Sequence, residues 1–145
     1  MPGHLARRFQ QIAVAIFQSE LSAAGCDLTP VQYAALVAIR GCPRIDQVTL
    51  AGEIAFDRTT IAGVVDRLES KGLITRQVNA KDRRARELLI TPEGQATLDR
   101  IVPAVNAAQN LMTSGLSKAE TAQLMHLLRK AIDATNDFSR APKRG

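Results

Sequence analysis

The chain has 145 residues, a formal net charge of +5 and a sequence pI near 9.8, and a single domain of this length buries about two-thirds of its unfolded surface. No apolar run approaches the ~20 residues that a membrane-spanning helix requires, and none at the N-terminus is typical of a secretion signal. The two cysteines, Cys26 and Cys42, lack the CxxC spacing of a metal or redox pair, so the composition predicts a cytoplasmic protein without disulfides, metal or cofactor.

Two helices are predicted at the start of the chain. The first spans residues 5–24 and ends at Gly25, since a glycine favours helix termination. Its apolar residues recur at helical spacing and are Leu5, Phe9, Ile12 and Ile16. In the second helix Thr29 is the cap and Pro30 takes the first position. The residues that share one face of this helix are Tyr33, Leu36 and Val37.

Two shorter helices and a hairpin follow. Asp46 caps a third helix and Asp57 caps a fourth, which Gly72 ends. The inward-facing residues of the third helix are Leu50, Ala51 and Ile54. Those of the fourth are Ile61, Val64, Val65 and Leu68. The β-branched runs at residues 73–78 and 86–91 bracket a basic turn and predict a β-hairpin.

Two more helices complete the prediction. Thr91 caps a fifth helix that contains Pro103, and this proline is expected to kink it. Ser117 and Glu120 form the capping box of a sixth helix. The apolar stripe of the sixth helix consists of Leu124, Leu127, Leu128, Ala131 and Ile132. The predicted fold is therefore mainly α, with six helices and a small β-hairpin.

Positive charge is concentrated between Asp57 and Arg86, where eight Lys or Arg residues face four Asp or Glu residues. Such a segment indicates a site for a polyanion. A short helix pair followed at once by a basic hairpin predicts a winged helix-turn-helix, whose second helix enters the major groove of DNA and whose wing enters the minor groove. The predicted DNA-binding residues are Arg58, Thr59, Thr60, Gly63 and Arg67 on the helix and Lys81, Asp82, Arg83, Arg84 and Arg86 in the wing.

Two of these residues have particular roles. Gly63 permits close approach of the helix backbone to DNA. Asp82 lies two positions before Arg84, and its carboxylate is expected to orient the Arg84 guanidinium through a bidentate pair.

Several motifs resemble the multiple antibiotic resistance regulator (MarR) family, and the resemblance covers nearly the whole chain. The motifs are Leu28-Thr29-Pro30-Val31-Gln32-Tyr33, Leu50-Ala51, Asp57-Arg58-Thr59-Thr60-Ile61, the run from Val65 to Arg76, Asp82-Arg83-Arg84 and Leu89-Ile90-Thr91-Pro92-Glu93-Gly94. The chain departs from the family pattern at Asn79-Ala80, where the family more often has an Asp-Pro-like turn.

The resemblance implies one MarR-type domain over residues 1–145. Helices within 5–24 and 92–138 are expected to form a homodimer, and residues 30–91 a winged helix-turn-helix lobe that binds a pseudo-palindromic operator. Members of the family usually repress transcription and release DNA when a small aromatic acid binds. By overall similarity the chain looks closest to regulators of nicotinate or related aromatic-acid catabolism.

The expected residues for a small aromatic carboxylate lie on the first two helices. An arginine can bind a carboxylate through two hydrogen bonds, and a tyrosine offers a ring and a hydroxyl. The candidate ligand-binding residues are Arg8, Tyr33, Arg40 and His4.

Other functions are weaker interpretations of the same sequence. An enzyme is disfavoured because His4 and His126 belong to no catalytic or metal-binding spacing and no phosphate-binding motif occurs. A thiol-based oxidant sensor that uses Cys26 or Cys42 is the main alternative, since arginines flank Cys42. An architectural DNA-binding protein without an effector would share the fold, and only a ligand-dependent change in DNA binding distinguishes it.

Overall fold

The computed structural model describes residues 1–54 and 58–138, apart from the side chain of Arg58. It divides the chain into two compact units, one of Met1–Pro30 with Arg100–Ala134 and the other of Val31–Asp99 with residues 135–138. The predicted cap at Asp57 lies outside the described residues. None of the described helices has the length and apolar character needed to cross a membrane.

The elements follow the predicted order. Within the described residues the helices are α1 (Pro2–Ala23), α2 (Pro30–Gly41), α3 (Gln47–Glu53), α4 (Arg58–Ser70), α5 (Pro92–Met112) and α6 (Lys118–Thr135), with a 3-10 turn at Asn136–Phe138. The strands are β1 (Ile45–Asp46), β2 (Ile74–Val78) and β3 (Arg86–Ile90). The six predicted helices and the hairpin are thus confirmed, and β1 is an addition.

Local caps fix the ends of several helices as predicted. The Asp46 carboxylate accepts a hydrogen bond from the backbone N–H of Thr49 at 2.7 Å, which caps α3. At the start of α6 the backbone N–H of Ser117 donates to Glu120 Oε1 at 2.9 Å, and the Glu120 N–H donates to Ser117 Oγ at 3.1 Å. This reciprocal pair is the predicted capping box. A hydrogen bond from the Ser117 backbone N–H, and to a lesser extent one from the Ser117 hydroxyl, lowers the pKa of the exposed Glu120 carboxyl.

The wing is a three-stranded antiparallel sheet in the order β1-β3-β2. Ile45 of β1 lies opposite Leu88 of β3, and Ile74 of β2 lies opposite Ile90. Ile45, Leu88 and Ile74 are buried. The sheet contacts α3, and β2 also contacts α4, so the buried faces of the two helices and the sheet form one core. The buried residues that the helices contribute are Leu50, Ala51, Ile61, Val64, Val65 and Leu68.

Two glycines in the left-handed region end helices in this chain. Gly25 (φ 72°) follows α1 and Gly72 (φ 74°) follows α4. Beyond α4 the N–H of Gly72 donates to Glu69 O at 2.9 Å, and that of Leu73 donates to Leu68 O at 3.0 Å. These bonds satisfy carbonyl groups that the helix leaves unpaired, and they turn the chain into β2.

The junction between β2 and α5 is closely packed. Thr91 caps α5 by accepting from the Gly94 N–H at 3.0 Å, while its hydroxyl donates to Gly72 O at 2.6 Å and its N–H donates to Leu73 O at 3.0 Å. A Cβ atom at Gly94 would lie 2.2 Å from Leu73 O. The approach of α5 to the base of the wing therefore depends on a glycine at this position.

Candidate nucleic-acid interface

Helix α4 has one buried and one exposed side, as predicted. Its apolar face is buried, with Val65 and Leu68 fully enclosed. The exposed side carries Thr59, Thr60, Gly63, Asp66 and Arg67. Beyond the neighbouring backbone of α4 itself, a Cβ at Gly63 would meet no atom of the described residues within 4 Å. This side of α4 thus offers short hydrogen-bonding groups, one arginine and an uncovered stretch of backbone, which is what a major groove admits.

An ion-pair cluster around Arg76, which the sequence did not predict, links α4 to the wing and to α3. The Arg76 guanidinium on β2 donates to the carboxylates of Asp66 and Glu69, with the Nη2 atom 3.2 Å from Glu69 Oε1. Its Nη1 atom donates to Gln47 Oε1 of α3 at 3.2 Å. The hydrogen bond to Glu69, followed in size by the one to Asp66, raises the pKa of Arg76 above its ordinary value. The cluster holds the two acids of α4 beside a permanent positive charge.

The tip of the wing, residues 79–85, lies between β2 and β3 and is mostly exposed. Lys81, Arg83, Arg84 and Arg86 all have exposed side chains. The Arg86 guanidinium donates to Arg83 O at 2.9 Å, which keeps one cation close to the backbone of the tip. The remaining cations extend from a short loop, as a minor-groove contact requires.

The expected role of Asp82 needs correction. Its Oδ1 atom accepts a hydrogen bond from the backbone N–H of Arg84 at 3.0 Å, and its backbone carbonyl accepts from the Ala85 N–H at 3.1 Å. An aspartate forms such a turn with the residue two positions on because its side chain is short. Asp82 therefore orders the backbone of the tip, and the bidentate pair with the Arg84 guanidinium is not what the structure shows.

The four candidate effector residues fall into two pairs on different units. His4 and Arg8 are exposed, four positions apart on one face of α1. Tyr33 is half-buried on α2, and Arg40 lies seven positions further along the same helix. The Arg40 Nη1 atom is 3.9 Å from Asp99 Oδ1 at the surface.

The two cysteines differ in accessibility. Cys26 is buried and Cys42 is exposed. Cys26 lines a cavity of about 420 Å³ at the end of α1, together with Gln18, Ser22 and Thr29. None of the candidate effector residues lines this cavity. Within residues 1–54 and 58–138, no three His, Cys, Asp or Glu side chains are grouped so that they could hold a metal ion.

Comparison with known proteins gives consistent matches over most of the chain. The model of the MarR family matches residues 28–85. The HTH-type transcriptional repressor NicR of Pseudomonas putida is 34% identical over 91% of this chain and 82% of NicR. The solved structure of Bordetella bronchiseptica BpsR, whose DNA binding is regulated by 6-hydroxynicotinic acid, has a TM-score of 0.85 and 33% identity, with 92% of this chain and 94% of BpsR covered. A mutant Escherichia coli MarR complexed with operator DNA has a TM-score of 0.82 and 28% identity, with 90% of this chain and 92% of that chain covered.

Proposed function

This chain belongs to the MarR family of winged helix-turn-helix transcriptional regulators, and from that premise we propose that it is a homodimeric repressor released from operator DNA by a small aromatic carboxylate. The DNA-binding part of this proposal rests on one observation. The exposed side of α4 and a wing tip rich in exposed Lys and Arg side chains belong to the same compact unit. The MarR that binds operator DNA has the same fold.

In this proposal α4 enters the major groove. Thr59, Thr60 and Arg67 bind phosphates or base edges, and Gly63 allows the helix backbone to approach closely. Arg58, at the first position of the helix, belongs to the same set. The tip cations Lys81, Arg83, Arg84 and Arg86 supply the wing contact, and Asp82 shapes the loop that carries them. Each phosphate that a cation neutralises releases counterions, so affinity falls steeply with salt.

The DNA-binding part is tested by selection and mutation. The parent protein is used to enrich a random-sequence duplex library, and the enriched duplex is then titrated by mobility shift at several salt concentrations. Arg84→Ala is expected to weaken binding by roughly 1–3 kcal/mol and to lower the salt slope by about one. Arg7→Ala, which removes an exposed arginine from α1, is the charge-matched control and is expected to bind as the parent does. Equal affinities for both variants would remove the wing from the mechanism.

The homodimer is supported by apolar surface that the single chain leaves uncovered. Helix α6 has no buried residue, although its stripe places Leu128 and Ile132 on one face. Leu128 is 39% exposed and Ile132 is 60% exposed, while Phe9 and Ile12 of α1 are 39% and 50% exposed. Apolar side chains grouped in this way on helices mark an association surface. A second copy of the chain is the occupant that we propose, because most soluble oligomers are symmetric assemblies of identical chains.

The effector is proposed from the relatives and from the chemistry of α1 and α2. BpsR responds to 6-hydroxynicotinic acid, which combines an aromatic ring with a carboxylate. Arg8 and Arg40 are the alternative anchors for that carboxylate, with His4 one turn before the first on α1 and Tyr33 two turns before the second on α2. The surface pair of Arg40 with Asp99 is long and stabilises little, so a ligand carboxylate can replace it.

Calorimetric titration tests the effector. Nicotinate, 6-hydroxynicotinate, salicylate and benzoate are titrated into the parent protein and into the Arg8→Ala and Arg40→Ala variants. We expect one of the acids to bind in the micromolar range, and one of the two variants to lose that binding. An effector acts only through different affinities for the DNA-binding and DNA-free conformations, so the same acid must also weaken the mobility shift. Binding of none of the four below millimolar would end the aromatic-acid proposal and leave the DNA-binding one intact.

An oxidant-responsive thiol is the second candidate, and the exposure of Cys42 is the observation that favours it. Arg40 and Arg44 flank it in sequence. Peroxide treatment of the DNA complex separates the two mechanisms. Release that Cys42→Ser abolishes would assign an oxidant response to this residue, whereas release by an aromatic acid alone would assign the response to the effector.

A further inference from the structure

Asn79, the first residue of the Asn79-Ala80 pair at which the chain departs from the family's wing pattern, organises the wing tip. Its Oδ1 atom accepts hydrogen bonds from the backbone N–H groups of Lys81 at 2.8 Å and Asp82 at 3.1 Å. Its own N–H donates to Ala85 O at 3.2 Å. The side chain of Asn79 thus fixes the outgoing turn of the tip, and its backbone joins the two sides of the loop.

The amide group of Asn79 is itself held by Glu87. The Nδ2 atom donates to Glu87 Oε1 at 2.7 Å. Glu87 lies on β3, the central strand of the sheet, and its side chain is only 14% exposed. A hydrogen bond to an ionised carboxylate is shorter and stronger than one between neutral groups, so the orientation of the Asn79 amide is defined before any ligand is bound.

The second oxygen of the Glu87 carboxylate accepts a hydrogen bond from Arg44. Its Nη1 atom donates to Glu87 Oε2 at 3.0 Å, and its backbone N–H donates to Leu88 O at 3.1 Å. Arg44 has a φ of 68°, a left-handed conformation that residues with a Cβ adopt at some energetic cost. The two bonds to β3 keep it there. Hydrogen bonds therefore run from the segment before β1, through Glu87, to Asn79 and the wing tip.

We propose that Asn79, held by Glu87 and Arg44, is a positioning residue that orders the wing tip before DNA is bound; this inference rests on the proposed DNA-binding function. Ordering a flexible loop costs conformational entropy. A tip that is already ordered in the free protein avoids this cost when it enters the groove, so affinity rises without an added contact. Asn79 therefore raises the affinity of the tip cations for DNA without touching DNA itself.

A positioning residue and a contact residue differ in how their removal changes the salt dependence of DNA binding. Removing a cation that binds phosphate lowers the slope of log K against log salt by about one. Removing the uncharged Asn79 leaves the number of phosphate contacts unchanged, so the affinity falls while the slope stays constant. Lys81→Ala, two positions further on, is the matched contact variant.

The first experiment uses the duplex that the parent protein enriches from the random-sequence library. An absence of enrichment would end the proposed function itself and is distinct from any result with the variants. On an enriched duplex, Asn79→Ala is expected to bind about tenfold more weakly than the parent, with the parent's salt slope. Amide hydrogen exchange of Lys81 and Asp82, measured by NMR on the DNA-free protein, is expected to be faster in this variant because their acceptor is lost.

The second experiment reverses the polarity of the Asn79–Glu87 hydrogen bond. Asn79→Asp keeps an acceptor for the tip amides but places two carboxylates side by side. Their repulsion is expected to lower the affinity for DNA. Asn79→Asp combined with Glu87→Gln restores a donor and an acceptor and has the same net charge as the parent. Affinity is expected to return to within about threefold of the parent value, which is the signature of direct coupling between two positions.

Two results would overturn the proposal. One is an Asn79→Ala variant that binds the enriched duplex as tightly as the parent, even if it unfolds at a lower temperature, because Asn79 would then stabilise only the hairpin. The other is a double variant that folds like the parent and yet binds no better than Asn79→Asp alone, because the bond to Glu87 would then have no part in ordering the tip.

Discussion

Gly94 provides the sharpest test of the junction between the wing and α5. An Ala side chain here would place its Cβ 2.2 Å from Leu73 O and 2.8 Å from Ile90 Cγ1, whereas ordinary contact begins at 3.4 Å. The backbone of α5 must therefore move away from Leu73 by about 1 Å, a strain typical of overpacked sites. The same carbonyl accepts the 3.0 Å hydrogen bond from the Thr91 N–H, and a shift of this size would take that bond beyond hydrogen-bonding distance.

The expected cost follows from these contacts. Overpacking costs about 1–3 kcal/mol, and the hydrogen bonds of Thr91 contribute about 0.5–1.5 kcal/mol each. The higher helix propensity of Ala returns up to about 1 kcal/mol. Gly94→Ala is therefore expected to lower the free energy of unfolding by about 2–4 kcal/mol, equivalent to a fall in Tm of roughly 5–15 °C for a chain of this size.

Thermal unfolding followed by circular dichroism, at one fixed protein concentration, is the measurement, since oligomerisation makes Tm depend on concentration. Gly63→Ala is the control, because it makes the same chemical change at a helical position where, beyond the neighbouring backbone of that helix, no described atom lies within 4 Å of the new Cβ. It is expected to stabilise the protein by roughly 0.5–1 kcal/mol. A Tm for Gly94→Ala equal to that of the parent would show that α5 can move away from Leu73 at no energetic cost. The inference that this position requires a glycine would then be wrong.

Three further results are expected. Gly63→Ala should weaken binding of the enriched duplex about tenfold while it stabilises the fold, because its methyl group would occupy the side of α4 that we propose to face the groove; unchanged affinity in a mobility shift would place Gly63 outside the interface. Leu128→Asp should give a monomer by sedimentation at micromolar concentration and lose DNA binding, whereas Gln123→Asp, an exposed polar position on the same helix, should remain a dimer. The folded-state pKa of Glu120 is lowered from 4.5, so its ionised carboxylate stabilises the fold above that pH, and this contribution is lost as the pH falls through the folded-state pKa. When the free energy of unfolding is measured with a chemical denaturant, the parent should therefore lose more stability below about pH 4.5 than Glu120→Gln.

The parts of the fold that the sequence predicted are those encoded by neighbouring residues. The Asp46 cap and the Ser117 capping box join residues three positions apart, so their signals lie within a few letters of sequence. The apolar faces of the helices recur with the helical period. Strand β1 was missed because two residues, Ile45 and Asp46, are too few to show the alternation of a strand.

The parts of the site that the sequence did not predict depend on partners that are distant along the chain. Arg76 binds Asp66 and also Gln47, which is 29 positions away, and Arg44 binds Glu87 across 43 positions. Nothing in the local pattern of either arginine distinguishes it from a solvated cation. Asp82 was assigned the wrong partner for a related reason, since the sequence places a carboxylate near Arg84 but does not decide between its guanidinium and its backbone N–H.

These pairings change how the positive charge of residues 57–86 is counted. The sequence gives eight basic residues between Asp57 and Arg86, yet Arg76 is bound to the two acids of α4. A cation held by carboxylates neutralises no phosphate and therefore releases none of the counterions condensed on DNA, whereas those acids would repel phosphates if Arg76 left them unpaired. Arg76 therefore makes acids tolerable on a helix that we propose to face DNA. The salt dependence of binding should accordingly reflect the exposed tip cations together with Arg58 and Arg67, and not the full count of basic residues in the segment.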